Sequence, residues 1–380
     1  MKPISDLQIG GWDKELTGMY VAKFEAGFPE GNNTTPSVKS SVSYTQDTVL
    51  IRGIEAGENA TRQDARNWLD GIYGKTETKI SYPVFQPLTY SMNYISVGDS
   101  YNICMALNES GNIYGFTTNS SDTHLMKNSE WGMISYLSYS QYGTNGDDIA
   151  VNNANFNSGE RERTESTGKN EVDSVYGITG MTQGLTDGEE TIVKIEEINT
   201  LSGNTPTVTG NMYAWNQKSG IVASSTRNIT GVYDISGGSV ERIACYVPNQ
   251  NENLLIYGKS MAYEGNILRE TSTKYTMVYP YDSNIDNDMQ TDLHEARKAN
   301  YMKNTKIYGD GIREISTQGD GNTAWDSDFS NFWGLNSPFG IRGGGTFWDK
   351  SKAGRFYFYY HFGEGRYDSS FRPVVIPISE

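Results

Sequence analysis

The sequence predicts an α+β fold, in which a few amphipathic helices pack on short and mostly antiparallel strands. Three observations lead to this prediction. Helical periodicity is confined to four separate segments, the strand-like apolar runs are short, and the final third alternates short strands with glycine-rich turns. The hydrophobic fraction of 36% and the aromatic fraction of 12% are enough for a real core, so disorder throughout the chain is excluded.

The helices are predicted from apolar side chains that recur on one face, with a capping residue in front of them. They cover residues 61–73, 97–107, 129–138 and 288–301. Ser96 is the expected N-cap of the second helix, because its hydroxyl can accept a hydrogen bond from the first turn. Asn128 or Ser129 should cap the third helix. The residues of that helix expected to face the core are Trp131, Ile134 and Leu137.

Strands are predicted where short apolar or alternating runs occur. They cover residues 18–28, 45–54, 191–197, 230–235 and 239–247. Residues 143–175 are polar and rich in Asn, Gly and Glu, which is typical of a long surface insertion. We therefore expect one large domain over residues 18–378, preceded at 1–17 by a linker or the remnant of a longer protein.

Charge and composition exclude several classes of function. The net charge of −15 argues against a nucleic-acid partner, because phosphate binding needs clustered Lys and Arg. No run approaches the roughly 18 apolar residues of a transmembrane helix, and no signal peptide is visible at the N-terminus. Cys104 and Cys245 allow at most one disulfide, and 3 histidines leave little room for a His-based metal site.

The most informative stretch runs from residue 342 to residue 374. Ten of the 26 residues from Thr346 to Phe371 are aromatic, and glycines frame them on both sides. Aliphatic residues, which fill most cores, are nearly absent there. Tyrosine offers a large contact area at a low cost in conformational entropy. The composition therefore favours a binding surface over an interior.

Six segments form an ordered set of motifs along the chain. They are Tyr20-Val-Ala-Lys-Phe-Glu25, Ser96-Val-Gly-Asp-Ser-Tyr-Asn-Ile-Cys104, His124-Leu-Met-Lys-Asn-Ser-Glu-Trp131, Gly231-Val-Tyr-Asp-Ile-Ser-Gly-Gly-Ser-Val-Glu-Arg242, Arg342-Gly-Gly-Gly345 and Ser370-Phe-Arg-Pro373. Together they resemble the formylglycine-generating-enzyme-like branch (the sulfatase-modifying-factor type) of the C-type-lectin fold. The resemblance extends over nearly the whole chain, and it implies that fold here, with long insertions.

The sequence departs from that family at the positions that carry its chemistry. The enzymes of the family need a cysteine pair shortly after the Arg-Gly-Gly motif, and residues 348–353 contain none. We therefore expect no enzymatic activity. Gly238 replaces the Asn of the family's calcium motif, while Glu241 keeps the Glu. We expect no cofactor; Glu241 is the candidate ligand if calcium is bound, and the alternative for Glu241 and Asp234 is structural hydrogen bonding.

The C-terminal stretch resembles the variable region of target proteins of diversity-generating retroelements, which use the same fold. That resemblance places a variable ligand-binding region at about 325–372. The residues expected to form its surface are Thr346, Phe347, Asp349, Arg355, Tyr357, Tyr359, Tyr360, His361, Arg366, Tyr367 and Asp368. In retroelement systems of this kind, mutations occur at the adenines of Asn codons, and such mutations cannot produce Trp, Lys or Glu. We therefore expect Lys350, Lys352 and Glu364 to belong to the scaffold. The other expected scaffold residues are Arg342, Gly343, Gly344, Trp348, Phe371 and Arg372.

The alternation along residues 355–359 agrees with this division, because successive side chains of a strand point to opposite faces. Phe356 and Phe358 should face the core, whereas Arg355, Tyr357 and Tyr359 should face outward. The function we expect is non-enzymatic binding of an unknown protein or surface receptor, at a cell surface or on a virion. The alternatives are a fixed surface adhesin, pilus-tip or phage receptor-binding subunit, and a divergent formylglycine-generating-type enzyme.

Overall fold

The computed structural model describes residues 16, 18–27, 83–87, 91–92, 95–110, 112, 114–152, 155–157, 175–182, 213–281, 308–316, 320–334, 337–345, 353–365 and 368–378. Within these ranges the chain mixes three α-helices with several small sheets, which confirms the predicted α+β class. The expected helices at 61–73 and 288–301, and the expected strands at 45–54 and 191–197, lie outside the described residues.

The three helices are α1 (Val97–Met105), α2 (Asn128–Tyr139) and α3 (Glu252–Ala262). As predicted, Ser96 caps α1, and its hydroxyl accepts a hydrogen bond from the backbone N–H of Asp99 at 3.1 Å. Helix α2 begins one residue earlier than expected. Its first turn is closed by the Glu130 carboxylate, which accepts the N–H of Lys127 at 2.8 Å, so neither Asn128 nor Ser129 is the cap.

The strands are short, and most have two to five residues. They are β1 (Tyr20–Val21), β2 (Ser121–Leu125), β3 (Asn155–Asn157), β4 (Val175–Gly177), β5 (Met181–Thr182), β6 (Tyr213–Ala214), β7 (Val240–Tyr246), β8 (Tyr263–Glu264), β9 (Ile267–Leu268), β10 (Met277–Val278), β11 (Asp320–Gly321), β12 (Ser330–Asn331), β13 (Phe339–Arg342), β14 (Phe358–His361), β15 (Ser369–Phe371) and β16 (Pro373–Pro377). The prediction at 239–247 is confirmed by β7, and that at 18–28 is confirmed only over β1.

Two sheets organise the domain. The larger has seven strands in the order β10-β7-β13-β14-β12-β11, and β15 also pairs with β7. The smaller has the order β1-β16-β2, so the first and last described strands are neighbours, with Tyr20 opposite Val375. Three further pairs, β3-β4, β5-β6 and β8-β9, lie outside these sheets.

Strand β7 lies at the centre of the core, and all of its residues are buried. Ala244 and Tyr246 face one apolar cluster, which contains the buried residues of α1 and α3. Ile243 and Cys245 face a second cluster, which contains the buried residues of α2. The period of two along the strand therefore places helices on both sides of the sheet. A strand buried on both faces explains why residues 239–247 lack a polar face.

Two predictions of local structure are wrong for identifiable reasons. Residues 230–235 do not form a strand, because Asp234 has a φ of 61°, in the left-handed region that interrupts extended backbone. Leu137 is 56% exposed rather than inward. It lies off the stripe of α2 that faces the core, which consists of Trp131, Ile134, Ser135 and Ser138 at helical spacing.

Candidate functional site

The Arg-Gly-Gly motif begins with the last residue of β13, and its glycines pack closely against the backbone of residues 353–354. Gly343 and Gly344 have φ angles of 81° and 73°, which L-residues rarely adopt. The Gly354 N–H donates to the Gly343 carbonyl at 3.1 Å. A Cβ on Gly344 would lie 2.6 Å from the Cα of Ala353, so no side chain fits there. The backbone on the two sides of residues 346–352 is therefore held together at one point.

Except for Glu364, the expected scaffold residues within the described chain are buried. Arg342, Phe371 and Arg372 each have 0% exposure. The Arg372 guanidinium holds both oxygens of Glu241, at 2.9 Å from Nε and 2.6 Å from Nη2. Its Nη2 also donates to the carbonyl of Tyr233 at 2.8 Å. Arg372 thus joins the C-terminal strand to β7 and to the loop before it, which is a structural role.

Arg355 is the clearest correction to the predicted surface, because its side chain is fully buried rather than outward. Its guanidinium donates to the Asp326 carboxylate at 2.9 and 3.1 Å and to the hydroxyls of Ser138 and Thr144 at 3.0 and 2.9 Å. It also donates to the carbonyl of Asp147 at 2.7 Å. An arginine with these partners connects α2, the loop after it and the segment around residue 326.

Three further residues of the predicted surface are also buried. Tyr357 is 8% exposed, His361 is 5% exposed and Asp368 is 4% exposed. Burial raises the pKa of the Tyr357 phenol, and Tyr359, Asp368 and Tyr360 add to that effect. The alternation predicted along this strand holds for Phe356 and Phe358, which are both 0% exposed, but it does not make Tyr357 a surface residue.

An aromatic face remains at β14 and the turn after it. Tyr359 and Tyr360 are half-buried, and their rings stack with centroids 4.1 Å apart. Phe329 packs against Tyr359 at 5.6 Å, and Phe362 is 37% exposed. We call Phe329, Tyr359 and Tyr360, which these ring contacts join, the aromatic face. The other expected surface residues, Thr346, Phe347, Asp349, Arg366 and Tyr367, and the expected scaffold residues Trp348, Lys350 and Lys352, lie outside the described residues. Glu364, also expected as scaffold, is half-buried.

Trp325 was not singled out from the sequence, although it lies in the expected variable region. It is 39% exposed and packs on Tyr139 at 5.1 Å. The two residues after it, Asp326 and Ser327, have φ angles of 62° and 64°. These φ angles lie in the left-handed region, where each non-glycine residue stores about 1–3 kcal/mol of backbone strain. Such strain concentrates at binding sites. A tryptophan followed by Asp-Ser-Asp, which is typical of a turn, was the available signal.

The buried carboxylates of Glu25, Asp234 and Glu241 all interact electrostatically with the Arg372 guanidinium. Burial raises the pKa of Glu25 well above its ordinary value, and the charges of Asp234 and Glu241 raise it further. Asp234 accepts hydrogen bonds from the Gly180 N–H at 2.9 Å and the Asn152 side chain at 2.8 Å. The expected hydrogen-bonding role of Asp234 and Glu241 therefore agrees with their contacts.

The calcium candidate, Glu241, faces a cation that the chain itself supplies. Both of its oxygens accept hydrogen bonds from Arg372, which leaves its charge already compensated. In the part of the chain that the structure describes, no group of three or more His, Cys, Asp or Glu residues could hold a metal ion. The donor set at Glu241 does not fit a resident Ca²⁺, which prefers six to eight oxygen ligands.

His361, Ser369 and Asp368 have the residue types of a catalytic triad but not its geometry. The Ser369 hydroxyl donates to Asp368 at 2.9 Å and lies 3.5 Å from His361 Nε2. His361 Nδ1 accepts hydrogen bonds from the Gly363 N–H at 2.8 Å and from Arg242 at 3.2 Å. In a triad the acid orients the histidine, whereas here an arginine occupies that position. Ser369 is also 0% exposed, so a substrate cannot reach it without rearrangement.

The two cysteines are buried and unpaired, and burial raises the pKa of both thiols well above the usual range. Such thiols are poor nucleophiles, because the thiolate is the reactive form.

Comparison with protein-family models and with curated proteins returned no match. Among the described helices, none is both long and apolar enough to cross a bilayer.

Proposed function

We propose that this chain is a non-enzymatic ligand-binding protein whose C-terminal region displays a binding surface on a C-type-lectin-like scaffold. The observation that carries the proposal is the aromatic face on β14. Tyr359 and Tyr360 are half-buried next to Phe356 and Phe358, which are fully buried in the same segment. Tyrosines supported in this way have little freedom to lose on binding, which favours a contact surface.

The scaffold part of the proposal is supported by the positions of the family-like motifs. The opening motif contains β1, which pairs with β16 directly after the closing motif. Arg342, Phe371 and Arg372 of the closing motifs are fully buried, as residues of a frame should be. The structure has the α+β class, and the lectin-like architecture is our inference from these motifs.

We propose in addition that a retroelement diversifies this surface. Fewer positions are replaceable than the sequence predicted, because the buried residues are removed from the set. Positions 359 and 360 belong to the replaceable set, together with the expected positions at 346, 347, 349, 366 and 367. A fixed adhesin, at a cell surface or on a virion, is the second candidate. It is favoured by the burial of Arg355, Tyr357, His361 and Asp368, because a surface that varies cannot include residues on which the core depends.

Two libraries in a display format with a heat challenge test whether the aromatic face is replaceable. The first randomises Tyr359 and Tyr360, and the matched control randomises the buried Arg355 and Tyr357. We expect most clones of the first library to remain folded and most clones of the second to be lost. Equal losses in both libraries would show that the aromatic face belongs to the core, and the proposed surface would be wrong.

The genomic surroundings separate the two candidates. A reverse transcriptase gene beside the coding sequence, with a near-duplicate template repeat that covers residues 342–372, is the result expected of a diversified protein. Without such a repeat, a fixed adhesin would be the better conclusion. The divergent-enzyme alternative predicts activity on a cysteine-containing peptide, which the purified protein should lack.

A further inference from the structure

Lys23 places its ammonium group among three aromatic rings, at a site remote in sequence from the C-terminal stretch. The Nζ atom lies 4.2 Å from the ring centroid of Trp215 and 5.6 Å from those of Phe24 and Tyr233. All three distances are within the roughly 6 Å over which a cation is attracted to a ring face. Nζ also donates a hydrogen bond to the carbonyl of Ile229. We call the three rings and this carbonyl the ammonium cage.

The walls of the ammonium cage are held by contacts that do not involve the Lys23 side chain. Phe24 and Tyr233 are 3% and 1% exposed and stack at 5.3 Å, while Trp215 stands nearly perpendicular to both. The Tyr233 hydroxyl donates to the Trp215 carbonyl at 2.8 Å. The Tyr233 N–H donates to the backbone carbonyl of Lys23 at 2.8 Å. A preformed cage should therefore persist when the lysine side chain is removed.

We propose that the ammonium cage is a binding site for an alkylammonium group with at least one N–H, and that Lys23 occupies it in cis. The rings recognise the positive charge without regard to direction, whereas the Ile229 carbonyl requires a hydrogen-bond donor. Together they select a protonated amine over a quaternary one. An external ammonium group enters by displacing Lys23, whose side chain is only partly buried. The site is separate from the proposed C-terminal surface, and neither depends on the other.

An N-methylated amine is the better class of ligand. Burial lowers the pKa of Lys23, so the cage does not fully replace the hydration that a primary ammonium loses. Methyl groups weaken the hydration of an ammonium and add apolar contact with the rings, so a methylated amine loses less on entering. Trimethylammonium keeps one N–H for the Ile229 carbonyl and is the probe of choice.

Titration followed by NMR tests the proposal with the wild type, Lys23→Ala, and Lys23→Ala combined with Trp215→Leu. We expect Lys23→Ala to bind trimethylammonium at least about tenfold more tightly than the double variant, which corresponds to one good cation–π contact. It should also bind trimethylammonium more tightly than the wild type, in which Lys23 competes for the cage. Tetramethylammonium should bind Lys23→Ala more weakly, because it lacks the N–H. Neutral tert-butanol should not compete.

Each other outcome would overturn the proposal. If Lys23→Ala binds no ammonium probe, Lys23 is only a stabilising anchor. If tert-butanol binds as well as trimethylammonium, the vacated space is an ordinary apolar pocket. If Lys23→Ala fails to fold, the wild type decides. Ring currents from the cage must shift the Lys23 ε-methylene resonance upfield, and an excess of trimethylammonium, but not of tert-butanol, must move it back as Lys23 is displaced. An unshifted resonance, or one that trimethylammonium leaves in place, would refute the proposal.

Discussion

Replacing Glu130 by Gln should remove a buried charge pairing and lower stability in a pH-dependent manner. Glu130 lies in the first turn of α2 and is 5% exposed. Its oxygens are 2.9 and 3.0 Å from His124 Nε2, and one of them is 3.6 Å from Lys127 Nζ. Glutamine retains an oxygen that can accept the Lys127 N–H, so the substitution tests the charge more than the helix cap.

The magnitude follows from the pKa of Glu130. Burial by itself would raise this pKa, but the charges of His124 and Lys127 and the hydrogen bonds from both residues outweigh it and lower the pKa to about 2. The ordinary pKa of a glutamate is 4.5. The difference between these two pKa values is equivalent to about 3 kcal/mol of folding free energy at neutral pH. A lowered carboxyl pKa contributes stability above the unfolded value, and that stability is lost as the pH falls from 4.5 towards 2.

Urea denaturation of the wild type and Glu130→Gln, followed by far-UV circular dichroism, measures this effect. The difference in unfolding free energy should be about 3 kcal/mol at pH 7 and about 2 kcal/mol at pH 3.5. Glu270→Gln is the matched control, because Glu270 is exposed, and it should change stability by less than about 0.5 kcal/mol. A difference that is the same at both pH values, or no difference at pH 7, would refute the reasoning.

Three further predictions concern the core and the frame of the C-terminal region. Glu25→Gln should raise the urea midpoint relative to the wild type, and more at pH 8 than at pH 5. The pKa of the Glu25 carboxyl is raised in the folded state, so the wild type loses stability as the pH rises above 4.5. A midpoint below that of the wild type at pH 8 would contradict this. Arg355→Met should cost about 3 kcal/mol, because the Asp326 carboxylate, which is only 12% exposed, would lose its guanidinium partner. Arg227→Met breaks an exposed pair and should cost less than about 1 kcal/mol. Equal costs in urea denaturation would place Arg355 at the surface. Gly344→Ala should lower the melting temperature far more than Gly265→Ala. Both glycines have a positive φ, but of the two only Gly344 lacks room for a Cβ. If the two variants lost equal amounts of melting temperature, backbone strain would be the whole cause.

The helices near residues 97 and 129 were predictable because their signals are local. An apolar stripe lies within one segment and survives whatever the segment packs against. The cap was predicted correctly only at Ser96, because Lys127 rather than Asn128 or Ser129 precedes the helix near residue 129. Helix α3 had a similar signal that was missed, with Asn251 as its cap and Leu254, Tyr257 and Met261 at helical spacing. Its interior Gly258 has a non-helical φ of −126°, which weakens the pattern that periodicity detects.

The scaffold residues of the candidate site were also predictable, because their roles follow from the backbone. Glycine at 343 and 344 is required by positive φ, and Phe356 and Phe358 face the core as their spacing indicates. Tyr359, expected to face outward from the same alternation, is half-buried, as is Tyr360, whereas the composition of the stretch did not indicate that most of its described residues are buried. These conclusions depend on the geometry of one strand and one turn.

The burial of Arg355, Tyr357 and His361 was decided by the tertiary structure. A strand pattern shows which side chains share a face, but it cannot show whether a second layer covers that face. For Arg355, the covering layer comes from the end of α2 and the loop after it, which are separated from it in sequence by 208–217 residues, and from the segment around Asp326, which is separated by 29 residues. Polar side chains become interior residues only when distant segments supply their hydrogen-bond partners, and that pairing is a property of the assembled fold.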